Sequence, residues 1–222
     1  MTTETNKKYK LTDETINIFG RTLHRIQAIR DFGDVTSGEL GGYVESEENL
    51  SHYGDAWASD NARVLDNARV LDNACVLDNA CVSGDARVFD NARVFDNARV
   101  LDNARVLDNA QVFDNACVSG DARVFDNAWV SGDARVFGDA LVFDNARVSG
   151  NSRVAGLVYF SQTDAWPITM CENWIVIGCQ SHSTDRWLDF SDEEIAEMDE
   201  DALEWWRRWK PAIISARAAM GW

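Results

Sequence analysis

From Ala62 to Ala146 every sixth residue is alanine, and two places after each alanine stands a valine. The residue between them is most often arginine. After the valine come Leu, Phe or Ser, and then Asp-Asn, Gly-Asp or Gly-Asn. With small variations the word holds its register from Ala56 to Leu157, 102 residues or 17 hexads. A period of six matches neither the 3.6 of an α-helix nor the 3.5 of a coiled coil. It does match a short strand followed by a turn. In Ala-Arg-Val an extended chain places Ala and Val on one side and Arg on the other. Asp, Asn and Gly then tolerate the positive φ of a tight bend. Units of this kind stack into a β-solenoid, so the repeat decides the fold.

The glycines carry a longer period. Gly84, Gly120, Gly138 and Gly156 take the first turn position at intervals of 36, 18 and 18 residues, and Gly132 and Gly150 are also 18 apart. Eighteen residues are three hexads, which predicts a three-sided coil with each glycine set at one corner. Coils about 4.8 Å apart would make 17 hexads a rod roughly 27 Å long. Its interior holds only Val and Ala, so its ends need covering.

The flanks read as caps. Residues 1–55 form an N-terminal β cap with strands at Tyr9–Leu11, Ile16–Phe19 and Thr22–Ile29, leading through Gly-Glu-Leu-Gly-Gly-Tyr-Val into an irregular first coil. Residues 56–157 are the β-helix. Residues 158–222 form a C-terminal cap, with a hairpin of Trp166–Met170 and Trp174–Gly178. Ser191 with Glu194 makes a capping box, and a helix follows from about Asp201 to Met220, kinked at Pro211. Seven of the nine tryptophans lie after residue 160, and they are expected to cover the end or side of the solenoid. The whole is one elongated all-β domain with caps.

Val at the first position of the hexad and Ala at the fifth resemble the hexapeptide repeat of left-handed β-helix proteins, the superfamily that includes many acyltransferases. The chain departs from that pattern after the valine, where it has Leu, Phe or Ser in place of small or acidic residues. The segments around YKLTDETINIFGRTLHRIQAIRDFGDV and WIVIGCQSHSTDRWLDFSDEEI resemble uncharacterised hexapeptide-repeat proteins of phages and prophages of Gram-positive bacteria. The resemblance implies a left-handed coil and a bacterial host cell, but no particular activity.

Composition narrows the function. The net charge is −16, spread as −4 over residues 1–55, −5 over 56–157 and −7 over 158–222. Direct binding to nucleic acid or an anionic membrane is disfavoured. Mimicry of DNA by the rod is also a poor match, since DNA carries one charge per about 1.7 Å; mimicry that includes the acidic tail stays open. No apolar run is long enough to span a membrane, and MTTETNKKYK lacks the apolar core of a signal peptide. Five cysteines, an odd number, point to a reducing cytoplasm. Cys75, Cys81 and Cys117 occupy outward positions.

Candidate chemistry is sparse. Hexapeptide acyltransferases generally use a His base, and the three histidines here, His24, His52 and His182, all lie outside the repeat. No complete metal-ligand set is present, so neither metal nor cofactor is expected. Cys179 and His182 form a C-x-x-H that would serve as a nucleophile–base pair, but with no second matching pair it reads more simply as a buried strand end and a turn.

Sorting outward residues by side gives a positive feature. One side stacks Arg69, Arg87, Arg105 and Arg123 in consecutive coils, with Leu71, Phe89, Leu107, Phe125 and Phe143 beside them. Like charges at coil spacing repel unless neutralised, and an apolar column of that length exceeds what a monomer usually exposes. Either the acidic tail, a second copy or another partner is expected to cover it. The chain therefore reads as a non-enzymatic binding scaffold, a homodimer or other homo-oligomer, with a host protein as a further partner in an inhibitory or sequestering role. An acyltransferase-like enzyme and an acidic nucleic-acid mimic are the alternatives.

Overall fold

The computed structural model describes residues 7–18 and 20–222, except for the side chains of residues 159 and 160. Two compact units make up the chain, one ending at Val158 and the other spanning Tyr159–Trp222.

The first unit is a β-solenoid with three parallel sheets, built from two-residue strands formed by the valine of each hexad and the residue before it. One sheet holds the strands beginning at Arg63, Cys81, Arg99, Cys117, Arg135 and Arg153; a second, those at Trp57, Cys75, Arg93, Gln111, Trp129 and Arg147; the third, those at Arg69, Arg87, Arg105, Arg123 and Leu141. Each strand pairs with the one 18 residues on, as Arg87 with Arg105 and Arg105 with Arg123. The coil is thus three hexads, as the glycines predict. Gly120 and Gly138 are stacked so closely that a Cβ on the former would lie 2.8 Å from the latter's backbone nitrogen.

Backbone polarity is satisfied from one coil to the next. Arg69 N–H donates to the Ala86 carbonyl (2.9 Å), Leu71 to Val88 (3.0 Å) and Asn73 to Asp90 (2.9 Å). The interior is alanine and valine, fully buried at every coil from Ala62 to Val142. Each coil removes only three of each from water, so stability comes from repetition, at about 0.8 kcal/mol per buried methylene-sized group.

The turns do more than bend. Asp stands at the first turn position with φ between +54° and +60° at eleven corners. Its carboxylate accepts the backbone N–H of the equivalent residue one coil on: Asp78 from Asp96 (3.1 Å), Asp102 from Gly120 (3.1 Å), Asp114 from Gly132 (2.8 Å). The following Asn donates to its counterpart in the next coil, as in Asn73 to Asn91 (3.2 Å) and Asn91 to Asn109 (3.4 Å). Much of the repeat's acidity therefore serves the ladder at its corners.

At the N-terminal end, β1 (Tyr9–Ile18) pairs antiparallel with β2 (Arg21–Ala28), which pairs with β3 (Leu40–Val44). Strand β3 then runs parallel to Arg63–Val64, joining the cap to the first sheet. The two strands expected at Tyr9–Leu11 and from Ile16 are one strand with an irregularity between Leu11 and Thr15; Phe19 lies outside the described residues. Buried Asn49 donates to the carbonyls of Asp66 (3.0 Å) and Ala68 (2.9 Å), tying the cap to the first coil. The Tyr9 hydroxyl, fully buried, donates to the Leu50 carbonyl at 2.8 Å.

The second unit is a four-stranded antiparallel meander, Tyr159–Gln162, Pro167–Cys171, Trp174–Ile177 and Gln180–Ser183, followed by α1 (Thr184–Asp189), α2 (Asp192–Ala196) and α3 (Ala202–Ala219). The inner hairpin and α3 lie where the sequence puts them. Helix α2 opens on the Ser191–Glu194 capping box, while the outer strands and α1 are additions. Helix α3 runs through Pro211 as a single helix. Trp187, Trp205 and Trp206 are buried in a core within this unit, with Ile175, Ile195 and Ile213. No helix among the described residues is long and apolar enough to cross a membrane.

Candidate functional site

The third sheet presents the arginine column. The strand register sets Arg69, Arg87, Arg105 and Arg123 side by side, with Leu141 next. All four arginines are exposed, because the middle residue of Ala-Arg-Val faces away from the core. Among the described residues none of them makes an ion pair or a side-chain hydrogen bond. Neighbours about 4.8 Å apart in water repel by roughly 1 kcal/mol per pair.

The apolar column lies beside them. Leu71, Phe89, Leu107, Phe125 and Phe143 are half-buried rather than fully exposed. Each follows its strand directly, so the five recur at the 18-residue spacing of the coil. The Phe125 and Phe143 rings stack with centroids 5.5 Å apart and planes at 13°.

On the other flank of the arginines stands the corner column Asn67, Asp85, Asn103 and Asp121. Asn67 donates to Asp85 (3.0 Å) and Asn103 to Asp121 (3.1 Å). The two columns enclose polar grooves, one of about 320 Å³ with Arg69 and Arg87 on its wall and one of about 200 Å³ with Arg87, Arg105 and Arg123. The face thus runs, across its width, from carboxylate and amide through guanidinium to hydrocarbon. On the other two sheets Cys, Gln or Trp interrupts the arginines, and on one of them Arg147 lies over the Trp129 ring at 4.6 Å.

Cys179 and His182 are positioned differently from the sequence expectation. Cys179 is exposed, not buried. It is the second residue of the two-residue turn Gly178-Cys179, where the Gly178 φ of +57° suits the first position of a II′ hairpin. His182 is a mid-strand residue paired with Ile175. Its ring packs edge-on against Trp187 (5.5 Å) and Phe190 (5.1 Å), and its Nε2 lies 3.3 Å from Gln180 Oε1. Burial and the nearby Arg186 hold its pKa below the ordinary histidine value. Among the described residues its ring makes no hydrogen bond to the Cys179 thiol, and Cys179 instead borders an aromatic pocket whose wall does not include His182. Cys75, Cys81 and Cys117 are free thiols, half-buried, with pKa values pushed up by burial. Among the described residues no group of three or more His, Cys, Asp or Glu is placed to hold a metal.

Two features had no clear signal in the sequence. One is the pocket among the C-terminal tryptophans, whose clustering after residue 160 was the only hint. The other is Lys8, fully buried in the N-terminal cap, with its ammonium donating to the Gly54 carbonyl (3.0 Å) and lying 4.7 Å from the Phe32 ring. Nothing in Lys-Lys-Tyr-Lys sets one lysine apart from its neighbours.

The chain is similar to the YdcK beta solenoid repeat family over residues 86–101 and 116–132. No curated protein matches it. With its stacked parallel coils, it is a β-helix repeat protein.

Proposed function

We propose that the protein is a non-enzymatic binding scaffold whose third sheet face docks an acidic protein surface, in the first instance a second copy of this chain. The observation that carries the reading is the stack of four exposed arginines without ion pairs, flanked by a half-buried apolar column. The chain itself, at −16, is an acidic surface. In a pair of such faces the arginines of one copy would sit offset against the corner aspartates of the other. Five coils by one side give a face of roughly 24 by 20 Å, so two copies would bury about 1,000 Å², the lower edge of specific interfaces. The dimer should therefore be weak.

The flanking segments' resemblance to phage and prophage proteins supports a setting in the cytoplasm of a bacterial host. There an acidic host protein is the second occupant for the same face, in an inhibitory or sequestering role. The resemblance to hexapeptide repeats adds a left-handed winding to the proposal. Engagement of the corner aspartates in backbone hydrogen bonds favours a structural role for them over nucleic-acid mimicry.

Light scattering on the full chain tests the self-docking. Wild type should show a dimer mass, and both Phe89→Ser/Phe125→Ser and Arg87→Glu/Arg105→Glu should show a monomer with unchanged circular dichroism. Identical masses for all three proteins would overturn the reading.

A further inference from the structure

The second unit contains a pocket of about 70 Å³ lined by Trp166, Trp187, Trp205 and Trp206, with Asp199 and Cys179 also on its wall. A water molecule needs about 10–15 Å³ of such space, so the pocket accommodates a group of around five heavy atoms. The indole donors of Trp187 and Trp205 are already committed, to the Ile175 carbonyl at 2.9 Å and to Thr163 Oγ1 at 3.2 Å. These two rings therefore offer a ligand carbon and π surface rather than hydrogen-bond donors.

The polar side chains on the wall are Cys179, Gln180 and Asp199, so its one charged group is a carboxylate. Between Arg186 and Arg207 the sequence has nine Asp or Glu and no Lys or Arg. Asp192 and Glu194 are paired, with Arg207 and Arg186, whereas among the described residues Asp199 has no ion pair. Its Oδ1 accepts only the Asp201 N–H, at 3.1 Å. An anionic ligand would meet uncompensated negative charge. A hydrated cation such as a metal ion would find one carboxylate among indoles, too few ligands to replace its water. The combination of π faces and an unpaired carboxylate selects a bulky, weakly hydrated cation. Trp206 already shows the affinity on a small scale, with the Lys210 ammonium 5.3 Å from its ring.

We infer that this pocket binds the methylated ammonium head of a small molecule, with the tryptophans as the cage and Asp199 as the counter-charge. The pocket is built wholly from residues of the second unit, and the inference does not depend on the reading given for the solenoid face.

Choline chloride and its uncharged carbon isostere, 3,3-dimethylbutan-1-ol, are the probes, titrated into the full chain and followed by tryptophan fluorescence. Choline should give a saturable change with an affinity at least about tenfold above that of the alcohol. Asp199→Asn, at an exposed position, should keep the wild-type circular dichroism, weaken choline several-fold and leave the alcohol unchanged. Modification of exposed Cys179 with a bulky maleimide should block choline. Equal affinity for the two probes, no saturable response to choline, or full choline affinity in Asp199→Asn would each overturn the inference.

Discussion

Gly120 and Lys8 show how single residues constrain this molecule. Gly120 has φ of +69° and stacks on Gly138 with no room for a side chain. Alanine there would take a left-handed conformation costing about 1–2 kcal/mol and push a Cβ into the next coil's backbone. The urea midpoint of Gly120→Ala should fall by the equivalent of roughly 2 kcal/mol or more. Lys8 is held by burial at a pKa of about 8, below its ordinary 10.5. Between those values the unfolded chain carries the lysine proton and the folded chain does not, so stability should rise with pH from about 8. Tyr9 reverses the trend above pH 10. Burial raises its pKa, so the folded chain keeps a proton that the unfolded chain loses. Thermal melts across this range should show a maximum near the crossover, and Lys8→Met should flatten the rising limb.

At the scale of the element, each strand of the inner coils is only two residues long and survives because it is paired on both edges and filled beneath. Val106 is fully buried between Val88 and Val124 in the ladder. Val106→Ala removes two methylene equivalents at about 0.8 kcal/mol each and leaves a cavity. A loss of roughly 2 kcal/mol in urea unfolding is the expected outcome. Its neighbour Arg105, exposed and unpaired, should tolerate Ala within about 0.5 kcal/mol. The contrast between adjacent positions checks the inward–outward alternation directly. Similar values for the two would mean that the side chains do not alternate as described.

For the whole molecule, the balance is between a strong excess of negative charge and one face that gathers positive charge. Self-docking through that face would be electrostatic at its rim and apolar beside it. Screening shortens from about 8 Å at physiological salt to about 3 Å at 1 M. The dimer mass seen by light scattering should therefore shift towards monomer as salt rises, while the solenoid itself, held by valines and backbone ladders, keeps its melting temperature. A salt-insensitive dimer would place the contact away from the arginines.

The sequence alone determined the solenoid. A hexad with alanine and valine on one side of a strand and φ-tolerant residues at the bend admits one repeating conformation, and glycines 18 residues apart set three hexads to the coil. The same arithmetic placed Arg69, Arg87, Arg105 and Arg123 in one column, because a periodic backbone turns sequence spacing into spatial position. Outside the repeat that translation fails. Which lysine of the N-terminal cap is buried, and how four tryptophans close around a pocket with Asp199 on its wall, depend on contacts between residues tens of positions apart; how Cys179 and His182 point depends on the hairpin they share and the short helix that follows it. Even within the repeat, the roles of Asp and Asn were half legible. Their tolerance of positive φ is a local property, but the hydrogen bonds that link each to its counterpart one coil away exist only once the coils are stacked.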